Sequence, residues 1–99
     1  MKVTFEQRED ELVLHTEGRI DTYTAEDFEK ELLSGIGRAD CVRLDFEQVQ
    51  YVSSAGLRAL LNGQKKVNSE DKEMILCNVN SMVEEVFEST GFIDILTVE

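Results

Sequence analysis

The sequence predicts an α/β fold in which helices pack against a small mixed β-sheet that starts with an antiparallel hairpin. Apolar residues alternate with polar ones near the N-terminus, two later apolar runs have strand length, and helical apolar spacings separate them. Strands that alternate with helices pair in parallel through right-handed crossovers. Since the 99 residues include no proline and no low-complexity segment, we expect one domain over residues 1–99.

The first two strands are predicted to form the hairpin. Apolar and polar residues alternate in both of them, with Val3 and Phe5 in the first and Leu12 and Leu14 in the second. We expect the turn that joins them around residues 9–10, where charged residues interrupt the alternation.

A first helix is predicted after this hairpin. The side chains of Asp21 and Thr22 can cap a helix N-terminus, and Gly35 and Gly37 are expected to end the helix after about Leu33. Its apolar residues, at helical spacing, are Ala25, Phe28 and Leu32.

A third strand, Cys41–Asp45, is predicted to be followed by a short loop. The run is short and apolar enough to be central in the sheet. Asp45 and Glu47 are then expected to be solvated loop acids close to the start of the next helix.

That second helix is predicted to open with a hydroxyl pair, Ser53 and Ser54, and to run to about Asn68. A glycine costs helix stability, so Gly56 in the first turn predicts either a close backbone approach or space for a docking partner. The side chains predicted to be buried are Leu57, Leu60 and Leu61.

The remaining elements are a fourth strand and a last helix. Glu73–Val79 contains an uninterrupted apolar run, which is typical of a strand covered on both faces. Ser81 is expected to cap the helix, and Gly91 is expected to end it in a left-handed conformation. Residues 92–96 form a final short apolar segment.

Composition excludes several classes of function. A net charge of −11 and a pI near 4.4 argue against binding to nucleic acid or to an anionic membrane surface. No apolar run reaches transmembrane length, and the charged N-terminal segment does not read as a signal peptide, so we expect a cytoplasmic protein. Cys41 and Cys77 are expected to be buried strand thiols.

We expect no catalytic residue, no metal and no cofactor. The position two residues before Ser54 is Val52, which breaks the Gly-x-Ser-x-Gly pattern of a nucleophile elbow, and no Walker-type glycine loop is present. His15 is the only histidine and lies on an alternating strand, where a surface role is expected.

Three segments carry a resemblance to a known family. They are Gly18–Ala25 (GRIDTYTA), Asp45–Leu57 (DFEQVQYVSSAGL) and Val86–Phe92 (VFESTGF), in that order along the chain. With them the chain resembles the STAS domain family and, within it, the bacterial anti-sigma factor antagonists. The resemblance covers nearly the whole length.

This resemblance implies a phosphorylation switch. In the antagonists, a serine kinase that is also the anti-sigma factor phosphorylates the serine two residues before the glycine, which is Ser54 here. Ser53 stands where the family often has aspartate, so Ser53 is the second choice. A phosphatase would reverse the modification, and binding to the anti-sigma factor would free a sigma factor. The partner-binding residues implied are Asp21, Thr22, Thr24, Ser53, Ser54, Ala55, Gly56 and Leu57.

An accessory role in a transport assembly is the alternative that the resemblance leaves open. The soluble STAS subunit of a lipid transporter would bind an ATPase or a transporter, and its serine need not be modified. Neither interpretation involves membrane insertion or nucleic acid.

Overall fold

The computed structural model describes residues 1–99 and contains five strands, three α-helices and one short 3₁₀-helix. The strands are β1 (Lys2–Arg8), β2 (Glu11–Ile20), β3 (Cys41–Val52), β4 (Glu73–Cys77) and β5 (Thr97–Val98). The helices are α1 (Ala25–Ile36), α2 (Ser54–Ser69) and α3 (Ser81–Thr90), and the 3₁₀-helix is Phe92–Asp94.

The strands follow their sequence order across the sheet, from β1 at one edge to β5 at the other. β1 and β2 are antiparallel and every later pair is parallel, which confirms the predicted mixed sheet with an N-terminal hairpin. The hairpin turns at Glu9, whose φ is 49°. Each parallel connection carries one α-helix, and the last also carries the 3₁₀-helix, so the α-helices alternate with strands β2 to β5.

One face of the sheet packs against the helices and forms the core. Alternate residues of β2, β3 and β4 are at most 1% exposed: Leu12, Leu14, Val42, Leu44, Met74 and Leu76. α1 contributes Phe28 and Leu32 and α2 contributes Leu60, all fully buried, and the Phe28 ring meets the Phe46 ring edge-on with centroids 6.2 Å apart. Burial of each such side chain stabilises the fold by about 1.5–3 kcal/mol.

The opposite face of the sheet is partly open, and this corrects the prediction for β4. Met74 and Leu76 are buried, but Ile75 and Cys77 are only half-buried, so β4 is not covered on both faces. Cys41 is half-buried as well, and both cysteines are free thiols. Partial burial raises the pKa of both thiols, which keeps them protonated at neutral pH. The uninterrupted apolar run led to the wrong prediction of two covered faces, because isoleucine and cysteine also occur at half-exposed strand positions.

β3 is much longer than predicted. The expected loop after Asp45 is strand, and β3 continues to Val52. Its pairing with β2 shifts register twice, between His15 and Glu17 and between Gly18 and Arg19. Each shift places an extra β3 residue in the ladder, which breaks the two-residue alternation of apolar and polar side chains. Because of these two bulges, the second half of β3 lacks the alternation of apolar and polar residues that predicts a strand.

The N-cap of the last helix lies one residue before the predicted one. Asn80 is the N-cap of α3, and its Oδ1 accepts a hydrogen bond from the Val83 amide at 2.8 Å, so Ser81 is the first helical residue instead. Gly91 ends α3 with a φ of 81°, as predicted. None of the helices has the length and apolar content needed to cross a lipid bilayer.

Charged side chains connect neighbouring strands on the open face. Arg43 of β3 donates to Glu11 of β2, with Nη2 3.0 Å from Oε2. His15 lies between two carboxylates, since its Nε2 is 2.6 Å from Glu6 Oε1 and its Nδ1 is 2.8 Å from Asp45 Oδ2. An imidazole can donate to both carboxylates only when it is protonated. The hydrogen bond to Glu6 is the main reason why the pKa of His15 is raised.

The free energy of unfolding is therefore expected to fall as the pH rises through the range above about 6.5. The folded-state pKa of His15 lies above its reference value of 6.5, so its contribution is complete below that pH and is lost as the pH rises through the folded-state pKa. The pKa values of Glu6 and Asp45 are lowered from 4.5 and 3.8, so their contributions are lost in acid. Denaturant titrations across this range measure the slope.

His15→Gln is the matched variant for this experiment. It keeps a polar side chain but cannot titrate, so its stability should change little over the same interval of pH. A slope in the variant as steep as that of the wild type would assign the pH dependence to another group.

Candidate functional site

The hydroxyl pair lies where β3 ends and α2 begins. Ser53 is the N-cap of α2, with an extended backbone (φ −86°, ψ 177°), and its Oγ accepts a hydrogen bond from the Gly56 amide at 3.3 Å. Ser54 is the first helical residue and is exposed. The predicted helix start is confirmed, and the two hydroxyls differ: Ser53 caps the helix, whereas Ser54 faces solvent.

Gly56 allows the start of α2 to lie against the end of β2. A Cβ atom at this position would be 2.8 Å from the carbonyl oxygen of Ile20 and 2.9 Å from Val52 Cγ1, closer than side-chain atoms can approach. The amide of Ser53 donates to the same Ile20 oxygen at 2.8 Å. Of the two explanations for this glycine, the close backbone approach is confirmed, and it brings the residues after Ile20 next to Ser53 and Ser54.

The residues after Ile20 form a tight turn held by its own side chains. Asp21 Oδ1 accepts hydrogen bonds from the amides of Tyr23 and Thr24 at 3.0 and 3.2 Å. Thr24 Oγ1 donates to the Arg19 carbonyl oxygen at 2.7 Å and accepts from the Asp21 amide at 2.9 Å. The turn is thus ordered by its own hydrogen bonds, and an ordered segment loses less entropy when it binds than a flexible one does.

The predicted capping roles of Asp21 and Thr22 in α1 are wrong. The helix begins at Ala25 with Thr24 as N-cap, and no side chain makes a capping hydrogen bond there. Asp21 instead bonds to the amides of the turn before the helix, and Thr22 is exposed. Competition from this local turn explains the difference, because aspartate bonds readily to amides two and three residues ahead.

Tyr23 belongs to the same surface, although the apolar pattern and the family segments did not predict a role for it. Its side chain stands at the tip of the turn and is 91% exposed, the most exposed of the large hydrophobic residues. Tyrosine is enriched among the residues that dominate the energy of protein interfaces. The available signal was an aromatic residue between two threonines, with acidic residues three and four positions after it, so that no apolar face continues from Tyr23 into the helix.

The structure divides the eight predicted partner-binding residues into two groups. Gly56 is buried and Leu57 is 5% exposed, so these two residues pack inside the protein and cannot contact a partner directly. Those that reach the surface, fully or in part, are Asp21, Thr22, Thr24, Ser53, Ser54 and Ala55. We call this set together with Tyr23 the docking surface, because it is the surface that we propose below as the partner-binding site.

Asp45 and Glu47 were expected to lie in a loop close to the start of α2, but both are residues of β3. Asp45 lies in β3, nine residues before Ser54, and at about 3.3 Å per strand residue it is roughly 20 Å or more away. Hydrogen bonds from Asn78, the Glu47 amide and His15 outweigh burial and lower the pKa of Asp45. Neither Asp45 nor Glu47 surrounds the serine, and α2 itself contains no acidic residue.

Metal ligands are not clustered in this protein. No group of three or more His, Cys, Asp and Glu side chains is arranged to hold a metal ion. His15, the only histidine, uses both ring nitrogens in hydrogen bonds to Glu6 and Asp45 on the open face of the sheet.

The five-stranded mixed sheet, the order of its helices and the serine pair at the start of α2 are the features expected of a STAS domain. The family model for the STAS domain matches residues 2–99, and the chain belongs to the STAS domain family. Within that family, it belongs with the bacterial anti-sigma factor antagonists. BtrV of Bordetella bronchiseptica, named as a candidate anti-sigma factor antagonist, is 34% identical over 99 residues, 99% of this chain and 85% of BtrV.

Solved structures support the same fold. A Thermotoga maritima protein, TM1081, described as a candidate anti-sigma factor antagonist, has a TM-score of 0.89 at 19% identity over 97% of this chain and 84% of that one. The unphosphorylated form of the anti-sigma factor antagonist SpoIIAA has a TM-score of 0.79 over 99% of this chain and 88% of that one. The phosphorylated form, from Bacillus, has a TM-score of 0.73 over 99% and 91%, and identity is 18% for both forms.

Proposed function

We propose that this protein is an anti-sigma factor antagonist without catalytic activity of its own. In its unphosphorylated form it binds an anti-sigma factor that is also a serine kinase, and this binding frees a sigma factor. The observation that carries the proposal is the exposed Ser54 at the start of α2, beside an ordered turn. The relative BtrV, at 34% identity, is named for the same activity.

The docking surface is suited to bind a protein. Its two segments, residues 21–24 and 53–55, are joined through Ile20, whose carbonyl oxygen accepts the Ser53 amide at 2.8 Å. Tyr23 adds a large aromatic side chain that nothing in the chain covers. A rigid backbone that presents an aromatic residue and a neutral hydroxyl can bind with little loss of entropy.

Phosphorylation is proposed at Ser54. The Ser54 Oγ attacks the γ-phosphorus of ATP, the bond from that phosphorus to the β-phosphate oxygen breaks, ADP leaves, and the hydroxyl proton passes to a base of the kinase. A phosphatase adds water to the phosphoserine and releases inorganic phosphate. The exposure of Ser54 favours it as the phosphorylated residue. Ser53 is half-buried, and its Oγ already accepts a hydrogen bond from the Gly56 amide.

The added phosphate acts on binding more than on folding. A phosphate brings a charge of about −1.5 to −2. At an exposed helix start this charge gains about 0.3–1 kcal/mol. In an interface shaped for a neutral hydroxyl, an unpaired charge costs several kcal/mol. The phosphorylated protein should therefore stay folded and release its partner.

Ser54→Asp is expected to weaken binding at least about tenfold, since each 1.4 kcal/mol changes the dissociation constant by about that factor. Ser54→Ala should bind nearly as well as the wild type and should no longer lose binding in the presence of ATP. The measurement is calorimetric titration with the anti-sigma kinase from the same genome, while mass spectrometry follows phosphate incorporation.

Ser53→Ala is the matched control, and it should still accept phosphate. Incorporation that is lost in Ser53→Ala but kept in Ser54→Ala would place the modification on Ser53. If neither serine accepts phosphate and Ser54→Asp binds normally, the switch is wrong, and the accessory role in a transport assembly becomes the better explanation.

A further inference from the structure

Arg58 is an exposed arginine that has no partner within the protein. The other four arginines each make an ion pair or lie over an aromatic ring: Arg8 with Glu6, Arg19 with Asp21 and Tyr51, Arg38 with Phe5, and Arg43 with Glu11 and Glu99. Arg58 makes no such contact although the chain carries 21 acidic residues. The guanidinium of Arg58 is therefore available to a group that the unmodified chain does not contain.

Arg58 lies close to Ser54 on the surface of α2. Both are exposed residues of α2, and they are four residues apart. Residues at this spacing lie on one face of a helix with Cβ atoms about 5–6 Å apart. Helical side chains also lean toward the N-terminus, so an arginine at position 58 can extend its guanidinium over the first turn, where Ser54 lies.

We propose that Arg58 binds the phosphate of phosphorylated Ser54 through paired N–H donors and holds it along the face of α2. The inference rests on the proposed switch at Ser54. Guanidinium groups pair with phosphate in a bidentate manner, and the order of anion first and cation four residues later is the more favourable one in a helix. No acidic residue of α2 competes for Arg58.

Other cations are less suited to this role. Arg19 is already engaged, with Nε 3.8 Å from Asp21 Oδ2 and its guanidinium 4.6 Å from the centre of the Tyr51 ring. Lys65 lies eleven residues after Ser54, about 16 Å along the helix axis at about 1.5 Å per residue. Arg58 is therefore the cation on α2 within one turn of the hydroxyl.

The pairing would make the switch act in two ways. Before modification, Arg58 is a free positive charge on α2 beside the docking surface, available to a carboxylate of the partner. After modification, the phosphate adds negative charge and also occupies Arg58. The partner then loses an attractive contact at the same time as it meets a repulsive one.

The test uses the full chain with phosphoserine placed at position 54 by codon suppression, so no kinase is needed. Phosphorus NMR follows the second ionisation of the phosphate, whose pKa is about 6. A nearby guanidinium favours the dianion, and Arg58→Gln should therefore raise this pKa by about 0.3–0.6. Arg58→Lys should restore part of the difference.

Lys65→Gln is the matched control because it removes one exposed positive charge from the same helix. It should leave the phosphate pKa within about 0.1 of the wild-type value, since distant surface charges are screened. Equal phosphate pKa values in the wild type and in Arg58→Gln would overturn the pairing and leave the switch standing. A kinase that modifies neither serine would overturn the switch, and the NMR result would still decide the pairing.

Discussion

Leu60→Ala is expected to lower the free energy of unfolding by about 2–5 kcal/mol. Leu60 is fully buried on the face of α2 that packs into the core. Truncation removes apolar contacts and leaves a cavity that the rigid sheet and helices can close only in part. Urea denaturation followed by circular dichroism measures the loss.

Leu61→Ala is the matched control, with the same chemical change one residue further along. Leu61 was predicted to be buried with Leu57 and Leu60, but it is only half-buried, so its truncation should cost clearly less. Ser54→Ala should cost at most about 1 kcal/mol, because Ser53 makes the capping hydrogen bond. Equal losses for the two leucines would contradict the core described here.

Tyr23→Ala is expected to weaken binding to the anti-sigma partner by about thirtyfold or more. Truncation of a central interface aromatic costs about 2 kcal/mol or more, and each 1.4 kcal/mol is about a factor of ten. The side chain is 91% exposed and its backbone is held by Asp21, so the folded protein should hardly change. Titration calorimetry gives the affinity, and a thermal melt of the free variant gives its stability.

Two further variants show whether the aromatic ring itself is responsible. Tyr23→Phe keeps the ring and should retain most of the affinity. Met82→Ala removes an apolar side chain that is 59% exposed on α3, outside the docking surface, and should bind as the wild type does. If Tyr23→Ala binds as tightly as the wild type, the docking surface is placed wrongly.

The start of α2 could be predicted because its determinants are close together in the chain. Ser53 supplies the cap, Ser54 begins the helix, and the leucines that follow have helical spacing. The order of elements and the sheet type were predictable for the same reason, since each strand and helix has its own apolar period. The three family segments pointed to the same region and to Ser54.

The second half of β3 could not be predicted, because its two bulges arise from pairing with β2, which lies more than twenty residues earlier. The role of Asp45 depended on that strand. A loop acid would be solvated, whereas a strand acid beside His15 forms part of a charged network on the open face. The wrong cap for α1 has a local cause instead, because Asp21 bonds to the amides of the turn that precedes the helix.

Local periodicity and short motifs were sufficient to predict the mixed α/β fold, the family and the helix that presents a hydroxyl pair. The contact between β2 and α2 was needed to show that Ser53 accepts a hydrogen bond while Ser54 is exposed, and that Gly56 lies against the carbonyl oxygen of Ile20. These facts depend on how closely β2 and α2 approach each other. Such an approach results from packing between residues that are more than thirty positions apart, and no local pattern encodes it.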